Sequence, residues 1–504
     1  MSSKAATPAS TEAPFSMRSI LGPLIAIVVG IFMVILDGTA VNVALPKLTQ
    51  EFHLLNLSLV QWTVIGYALA QAAVIPLAGW LSDRFGAKKI FLISVGLFTI
   101  GSGLCATANS VELLITYRII QGAGGGVVIP IAMAFIYRLS PPSKVGAVMG
   151  MMGIPILLGP ALGPVVAGWL VEYHSWQWIF LINLPIGVIG ILLGIRTLPN
   201  IQRQSVAGLD LLGMILGPLA FAALVYGVSQ GGVDATTGKS TWLDATTLIG
   251  SGVGIVALIL FVIAELRRSN PLLELRVFRS GNFTKGIIVQ WISQIAMFGT
   301  MFMVPLFLQQ AHGYSPLKTG LIMLPQALAS GLFMPIGGKL SDKFGARPLV
   351  IAGMALTTVS ALLLSNITAT SGDMAVMIPL ALLGAGMGLF MMPLNNHLIQ
   401  SAPQNLVGRV TSLTNAAQQV MMSFAIAILT TLMATKMNGL KEEMARTGEQ
   451  KTVPELFASS FGYTFLILLG IAILGGVLGL MLSKPKKIEG QEGSGAEVPV
   501  FVGH

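Results

Sequence analysis

Two residues in this sequence stand where ionisable groups are costly. Asp37, in the run LDGTAVNVALP from Leu36 to Pro46, and Arg118, opening RIIQGAGGG from Arg118 to Gly126, both fall inside long apolar stretches. A bilayer solvates charge poorly, so an ionisable side chain within a span carries a functional reading by default. Of the 20 acidic residues, only Asp37 lies well inside a span. Helical rise puts it about 7 Å to the outer side of the centre of the first helix. Arg118 reaches a similar depth in the fourth, so an ion pair or a shared hydrogen-bond network is expected. Burial favours the neutral acid and a nearby guanidinium favours the carboxylate, so a small change in hydration moves one proton on or off. The chemistry implied is carriage of a proton by Asp37. Arg118, which keeps its own proton, tunes the carboxylate and holds water or backbone carbonyls. A static structural pair is the competing reading, but a carboxylate with no role in the membrane is easily replaced by an apolar residue.

Positioning such a pair takes membrane helices, and the composition supplies them. The chain has 504 residues, 54% of them hydrophobic and only 10% charged. That balance excludes an ordinary soluble enzyme and reads as an all-α polytopic membrane protein. Counting apolar runs of about 20 residues places fourteen transmembrane helices between residues 20 and 482, with the fifth at 144–170 and the seventh and eighth at 209–229 and 245–265. The formal charge of +9 does not point to nucleic acid, because the basic residues are spread over short loops. Twenty-one lie on the side of the termini and seven on the other, which places both termini in the cytoplasm. Cys105 is the single cysteine, so no internal disulfide is available. The five histidines show no metal-ligand spacing, and only His397, near the cytoplasmic end of the twelfth helix, falls where it would line a path. Gly238-Lys239-Ser240 looks like the end of a phosphate loop, but Val233 stands where that loop's first glycine belongs. The expectation is therefore neither an enzyme nor a metal or cofactor protein.

The stretch GWLSDRFGAKK, Gly79 to Lys89, returns 259 residues later as GKLSDKFGARP, Gly338 to Pro348. Gly79, Asp83, Arg84 and Gly86 match Gly338, Asp342, Lys343 and Gly345 at that one offset. Each copy joins two apolar runs, so each reads as a tight charged turn at a helix end, with glycine allowing the reversal and close approach of helices. The fifth run carries Gly150, Gly153, Pro155, Gly159, Pro160, Gly163, Pro164 and Gly168, a pattern that packs closely and bends readily. The paired loops resemble the cytoplasmic loop motif of the major facilitator superfamily. GPALGPVVAGW, Gly159 to Trp169, resembles the helix-five motif of its proton-coupled antiporters, and it has no Gly-Pro counterpart at 407–432. With the Asp37 run, the Arg118 run and WQWIFLINLPIG, Trp176 to Gly187, the chain is similar over nearly its whole length to the fourteen-span EmrB/QacA-type drug:proton antiporters.

That resemblance implies two six-helix bundles at 20–197 and 284–482, two inserted helices at 209–265, a cytoplasmic linker at 266–283, an external loop at 435–460, and disordered cytoplasmic tails at 1–19 and 483–504. It implies a proton-coupled exporter working by alternating access in a bacterial inner membrane, monomeric, with protons, lipophilic substrates and the bilayer as partners. A periplasmic adaptor enters only if the host has an outer membrane. The second expectation is export of an endogenous lipid, fatty acid or secondary metabolite. The family's cavity is lined by helices one, four, nine and twelve. Here the ninth offers Gln290, Trp291, Gln294, Met297, Phe298, Met301 and Phe302, and the twelfth Met387, Met391, Asn395 and Asn396. Amides among Met and aromatic side chains suit a broad lipophilic pocket. Met377 lies near the counterpart of Arg118, and Ile295 and Ala296 near that of Asp37, so one carboxylate serves the whole chain and the expected cargo is neutral or monovalent.

Overall fold

Inside hydrocarbon every backbone N–H and C=O has to be satisfied within the chain, so long apolar runs fold as helices. The computed structural model of the protein describes residues 17–54, 57–139, 159, 162–200, 210–231, 241–268, 271, 273–400, 407–447 and 452–482. The first bundle is built from α1 (Met17–Glu51), α2 (Trp62–Val74, resuming as Leu77–Phe85), α3 (Ala87–Ala106), α4 (Val111–Leu139), α5 (162–173) and α6 (Trp178–Thr197). Two inserted helices follow, α7 (Leu211–Gln230) and α8 (Ala245–Arg267). The second bundle holds α9 (Gly281–Gln310), α10 (Pro316–Phe344), α11 (Ala346–Ser365), α12 (Asp373–Gln400), α13 (Val407–Thr447) and α14 (Val453–Leu480). Among the described residues twelve helices are long and apolar enough to cross a bilayer, and the two parts of α2, set at 53° to each other, bring the number to thirteen. The bend falls at Pro76, which cannot donate an i to i−4 hydrogen bond. Most of the fifth expected span, including Pro160, lies outside the described residues, as do 1–16 and 483–504 of the expected tails.

The two bundles repeat one packing scheme. In the first, α2 and α3 pack on α4, and α1 and α3 on α6; in the second, α10 and α11 pack on α12, and α9 and α11 on α14. Glycines bring these helices together. A Cβ on Gly122 of α4 would sit 2.5 Å from the Tyr67 carbonyl of α2, and one on Gly384 of α12 would sit 1.9 Å from the Gln326 carbonyl of α10. This register pairs Arg118 with Leu380 rather than with the expected Met377, and both are apolar, so the second bundle still lacks the cation.

At the outer level, opposite the Gly86 and Gly345 turns, the bundles share one core. It takes Val41, Leu45 and Val64 from the first, Phe302, Phe307 and Ile426 from the second, and Val225 from α7. Thr430 of α13 donates to Gln61 at the head of α2, Gln309 of α9 donates to the Val43 carbonyl at 2.9 Å, and Glu172 accepts from Leu317 N at 3.1 Å. At the inner level the cores are separate, Ile27, Phe91 and Phe135 in the first bundle and Val289, Met354 and Phe390 in the second. Among the described residues the bundles are thus joined at the level away from the Gly86 and Gly345 turns, called outer here, and separate at the level of those turns, called inner.

Several details differ from the sequence expectation. Residues 17–19 are helical rather than part of a disordered tail. The segment 435–460 is mostly helix, because α13 runs on to Thr447 and α14 starts at Val453 with a capping box between Thr452 and Glu455. The linker is docked against α8. Glu265, 1% exposed, accepts from Leu273 N at 3.0 Å, and Arg276 donates to the Leu266 and Arg268 carbonyls. Gly86 (φ 96°) and Gly345 (φ 79°) do end α2 and α10 in conformations reserved for glycine, each N–H closing on a serine carbonyl of the last turn. Gly79 and Gly338 make no close approach, since an added Cβ would meet nothing within 4 Å. Gly86→Ala is therefore expected to cost about 1–3 kcal/mol, whereas Gly79→Ala leaves the melting temperature in detergent unchanged; equal losses in the two variants would contradict the assignment.

Candidate coupling site and substrate cleft

Asp37 and Arg118 meet. The Arg118 Nη1 to Asp37 Oδ2 distance is 2.5 Å, and both side chains are fully buried. Five helices build the surroundings. Arg118 and Gln121 stand one turn apart on α4, and Arg118 also donates to Gln121 Oε1 at 2.7 Å and, through Nε, to the Thr63 backbone carbonyl of α2 at 3.0 Å. Its guanidinium lies over the Tyr67 ring of α2, 3.8 Å from the centroid. Gln121 Nε2 and Asn183 Nδ2 of α6 each donate to Asp37 Oδ1 at 2.9 Å. Asn183 further donates to Ser102 of α3 at 3.0 Å, whose hydroxyl donates to the Phe180 carbonyl at 2.8 Å. The helix is interrupted at Ile182, where Pro185 leaves the Leu181 carbonyl without its usual donor, and Asn183 is delivered to the carboxylate from that break.

Every donor that converges on Asp37 is matched to an ionised carboxylate, which only accepts. The cluster also occupies a boundary, because the outer core begins at Ala40 and the inner core of the first bundle ends at Val34. Gly159 and Gly163 of the helix-five motif pack on the same stretch of α1. A Cβ there would sit 2.5 Å from Ile35 Cγ2 and 2.0 Å from Thr39 Oγ1. Pro164 belongs to a second seam, where a Cβ on Gly320 of α10 would sit 2.4 Å from its carbonyl. The motif residues Arg84 and Lys343 are exposed at the inner turns.

The expected substrate residues divide. Gln290, Gln294 and Met391 line one cleft in the second bundle, with Ser293, Met387, Phe390 and Leu394. Asn395 belongs to it by accepting from Gln290 Nε2 at 2.9 Å. The side-chain Oε1 atoms of Gln290 and Gln294 are buried there without hydrogen-bond partners among the described residues. Trp291 turns away onto Phe278 of the linker, ring centroids 6.2 Å apart. Met297 packs on the inner core of the second bundle, and Phe298 and Met301 on the shared outer core, where the bundles have closed. Gln121, Asn183 and Ser102 were not singled out from sequence. Their signal was a polar side chain in an otherwise apolar run, the same signal that exposed Asp37.

Two repeated helix bundles joined at one face, with a buried charge pair inside the first, have the architecture of a membrane transporter. The profile described as Major Facilitator Superfamily matches residues 27–426, and the chain belongs to that superfamily. It is 34% identical over 405 residues to the Multidrug resistance protein B homolog of Mycobacterium tuberculosis (strain ATCC 25618 / H37Rv), covering 80% of this chain and 74% of that protein. It is 29% identical over 466 residues to the Lincomycin resistance protein LmrB of Bacillus subtilis (strain 168), covering 92% and 96%. Among solved structures, the POT family transporter PepTSo superposes with a TM-score of 0.66 at 17% identity, over 93% of this chain and 98% of that one, which speaks for the fold alone.

The geometry makes Arg118 more than a charge. Arg118→Met, which strands a buried carboxylate, is expected to cost about 3–5 kcal/mol. Arg118→Lys keeps the charge but loses the fork and the stacking on Tyr67, an intermediate loss, and Asn183→Leu costs about 1–3 kcal/mol. Thermal unfolding in detergent orders the three; equal stability of Arg118→Lys and wild type would show that the fork carries no weight.

Proposed function

We propose that this transporter is a drug exporter of the fourteen-span EmrB/QacA type, driven by inward proton flow. The names of its relatives favour drugs as cargo. The observation that carries the coupling is the Asp37 cluster, a fully buried carboxylate in the middle of a membrane helix, bonded to α4 and α6 beside the glycine-packed α5. A proton on Asp37 would cancel the charge that holds Arg118, Gln121 and Asn183 and would loosen α1 from its neighbours. Its loss would restore the bonds seen here and favour the inner-open arrangement. Cargo would then bind at the second-bundle cleft, which has a volume of about 10 Å³ as seen here and has to widen to admit it. The two glutamine oxygens without partners among the described residues would offer acceptors to a cation or a hydrogen-bond donor, and Met387, Met391 and Phe390 would take the lipophilic body.

One proton suffices energetically. A pH unit is worth about 1.4 kcal/mol, and about 100 mV adds roughly 2.3 kcal/mol for each net charge moved. Exchange of one proton for one monovalent cation moves no net charge and draws on the pH gradient alone, whereas a neutral cargo draws on both. With no second acid at the counterpart position, cargo is lipophilic and neutral or monovalent.

Dye efflux from everted vesicles tests this reading. Asp37→Asn is expected to reach the membrane and bind dye, yet to lose pH-driven transport; coupling equal to wild type would remove Asp37 as carrier. A divalent lipophilic cation is expected to be moved more slowly than a monovalent one of similar size, and equal rates would contradict the charge limit.

A further inference from the structure

The inserted pair is not a passive spacer, because α7 is wedged beside the outer seal. Val225 is fully buried in the shared core, and Thr431 of α13 donates to the Val228 carbonyl at 3.4 Å. Next to Thr431, Thr430 holds Gln61, and next to Gln61 stands Trp62. Between α7 and the first bundle lies an open cavity of about 260 Å³. Leu59, in a short helix Leu57–Val60, lines it with Trp62 of α2, Ile115 of α4, and Tyr226 and Gln230 of α7. The Trp62 and Tyr226 rings lie tilted at 52° to each other with centroids 6.2 Å apart, and Tyr226 is 43% exposed.

The lining selects its occupant. Among the described residues no acid or base lines it, and none there would pair with a phosphate headgroup or a divalent ion. Two electron-rich ring faces attract an organic monocation, Leu59 and Ile115 take an apolar body, and the Gln230 amide offers one polar contact. The volume falls just below the range of about 300–1,000 Å³ that holds a whole drug-sized molecule. One aromatic ring system fits, and a lipid with two chains does not.

We propose that this cavity is a second, lateral binding site for flat lipophilic monocations, placed where cargo released once α2 and α13 separate would enter the outer leaflet. Its role as an exit site rests on the export reading above, while its occupancy does not. The insert thereby supplies a surface that twelve helices alone would lack.

An N-methylquinolinium bearing an aryl azide, a flat monocation with one fused ring system, photolysed with the full-length protein in nanodiscs of phosphatidylethanolamine and phosphatidylglycerol, tests it. Peptides containing Trp62 and Tyr226 are expected to carry the label in wild type. Labelling there is expected to fall about threefold to fivefold in Tyr226→Ala, and as far in Leu59→Trp, which fills the cavity while keeping both rings. Absence of label from these peptides, equal labelling in both variants, or displacement of the probe by excess lysophospholipid would overturn the site. Label retained in a wild-type protein that fails to export dye from vesicles would support the site and remove the export reading instead.

Discussion

The structure depends on one fully buried ion pair. Removing Asp37 and Arg118 from water costs several kcal/mol per ion, and only close geometry with further hydrogen bonds repays it. The surrounding helices supply those bonds. Gln121 is spaced one turn from Arg118, Asn183 emerges at a break in α6, and Tyr67 offers its ring face from α2. Helices α1, α2, α3, α4 and α6 are thereby tied at one depth, between an outer core shared with the second bundle and an inner core that belongs to the first bundle alone. A change in the charge of Asp37 is therefore felt in every helix of that bundle that contacts the pair.

The two bundles share a scaffold and differ in what it carries. Glycines on α4 and α12 seat those helices against α2 and α10 in matching fashion, and Gly86 and Gly345 turn the chain in the same way. The first bundle spends its buried polarity on the ion pair, whereas the second places methionines, and amide oxygens without partners among the described residues, around a cleft. No hydrogen bond joins the two sites among the described residues. Communication between them has to pass through the relative motion of the bundles, for which the joined outer level and the separate inner level define one end state.

Much of this was legible in the sequence because helical rise and period are fixed. Asp37 and Arg118 could be set at equal depth by counting, and the 259-residue repeat of the charged turn disclosed two bundles. The spacing of four between Gln290 and Gln294, and among Met387, Met391 and Asn395, already placed each set on one helix face. Counting could not say at which level the bundles close, so Phe298 and Met301 were read as cavity residues and lie against the outer core. Nor could it give helix crossings, so Asn183 and Ser102, arriving from α6 and α3, were missed.

The central claim is that Asp37 is the residue that takes up and releases the proton. Infrared difference spectroscopy of the purified transporter, recorded on acidification and again on addition of a lipophilic monocation, tests it most directly. The account predicts a protonated-carboxyl C=O band that grows with acid, shrinks when the cation binds, and is missing in Asp37→Asn. The same band in wild type and Asp37→Asn would contradict it.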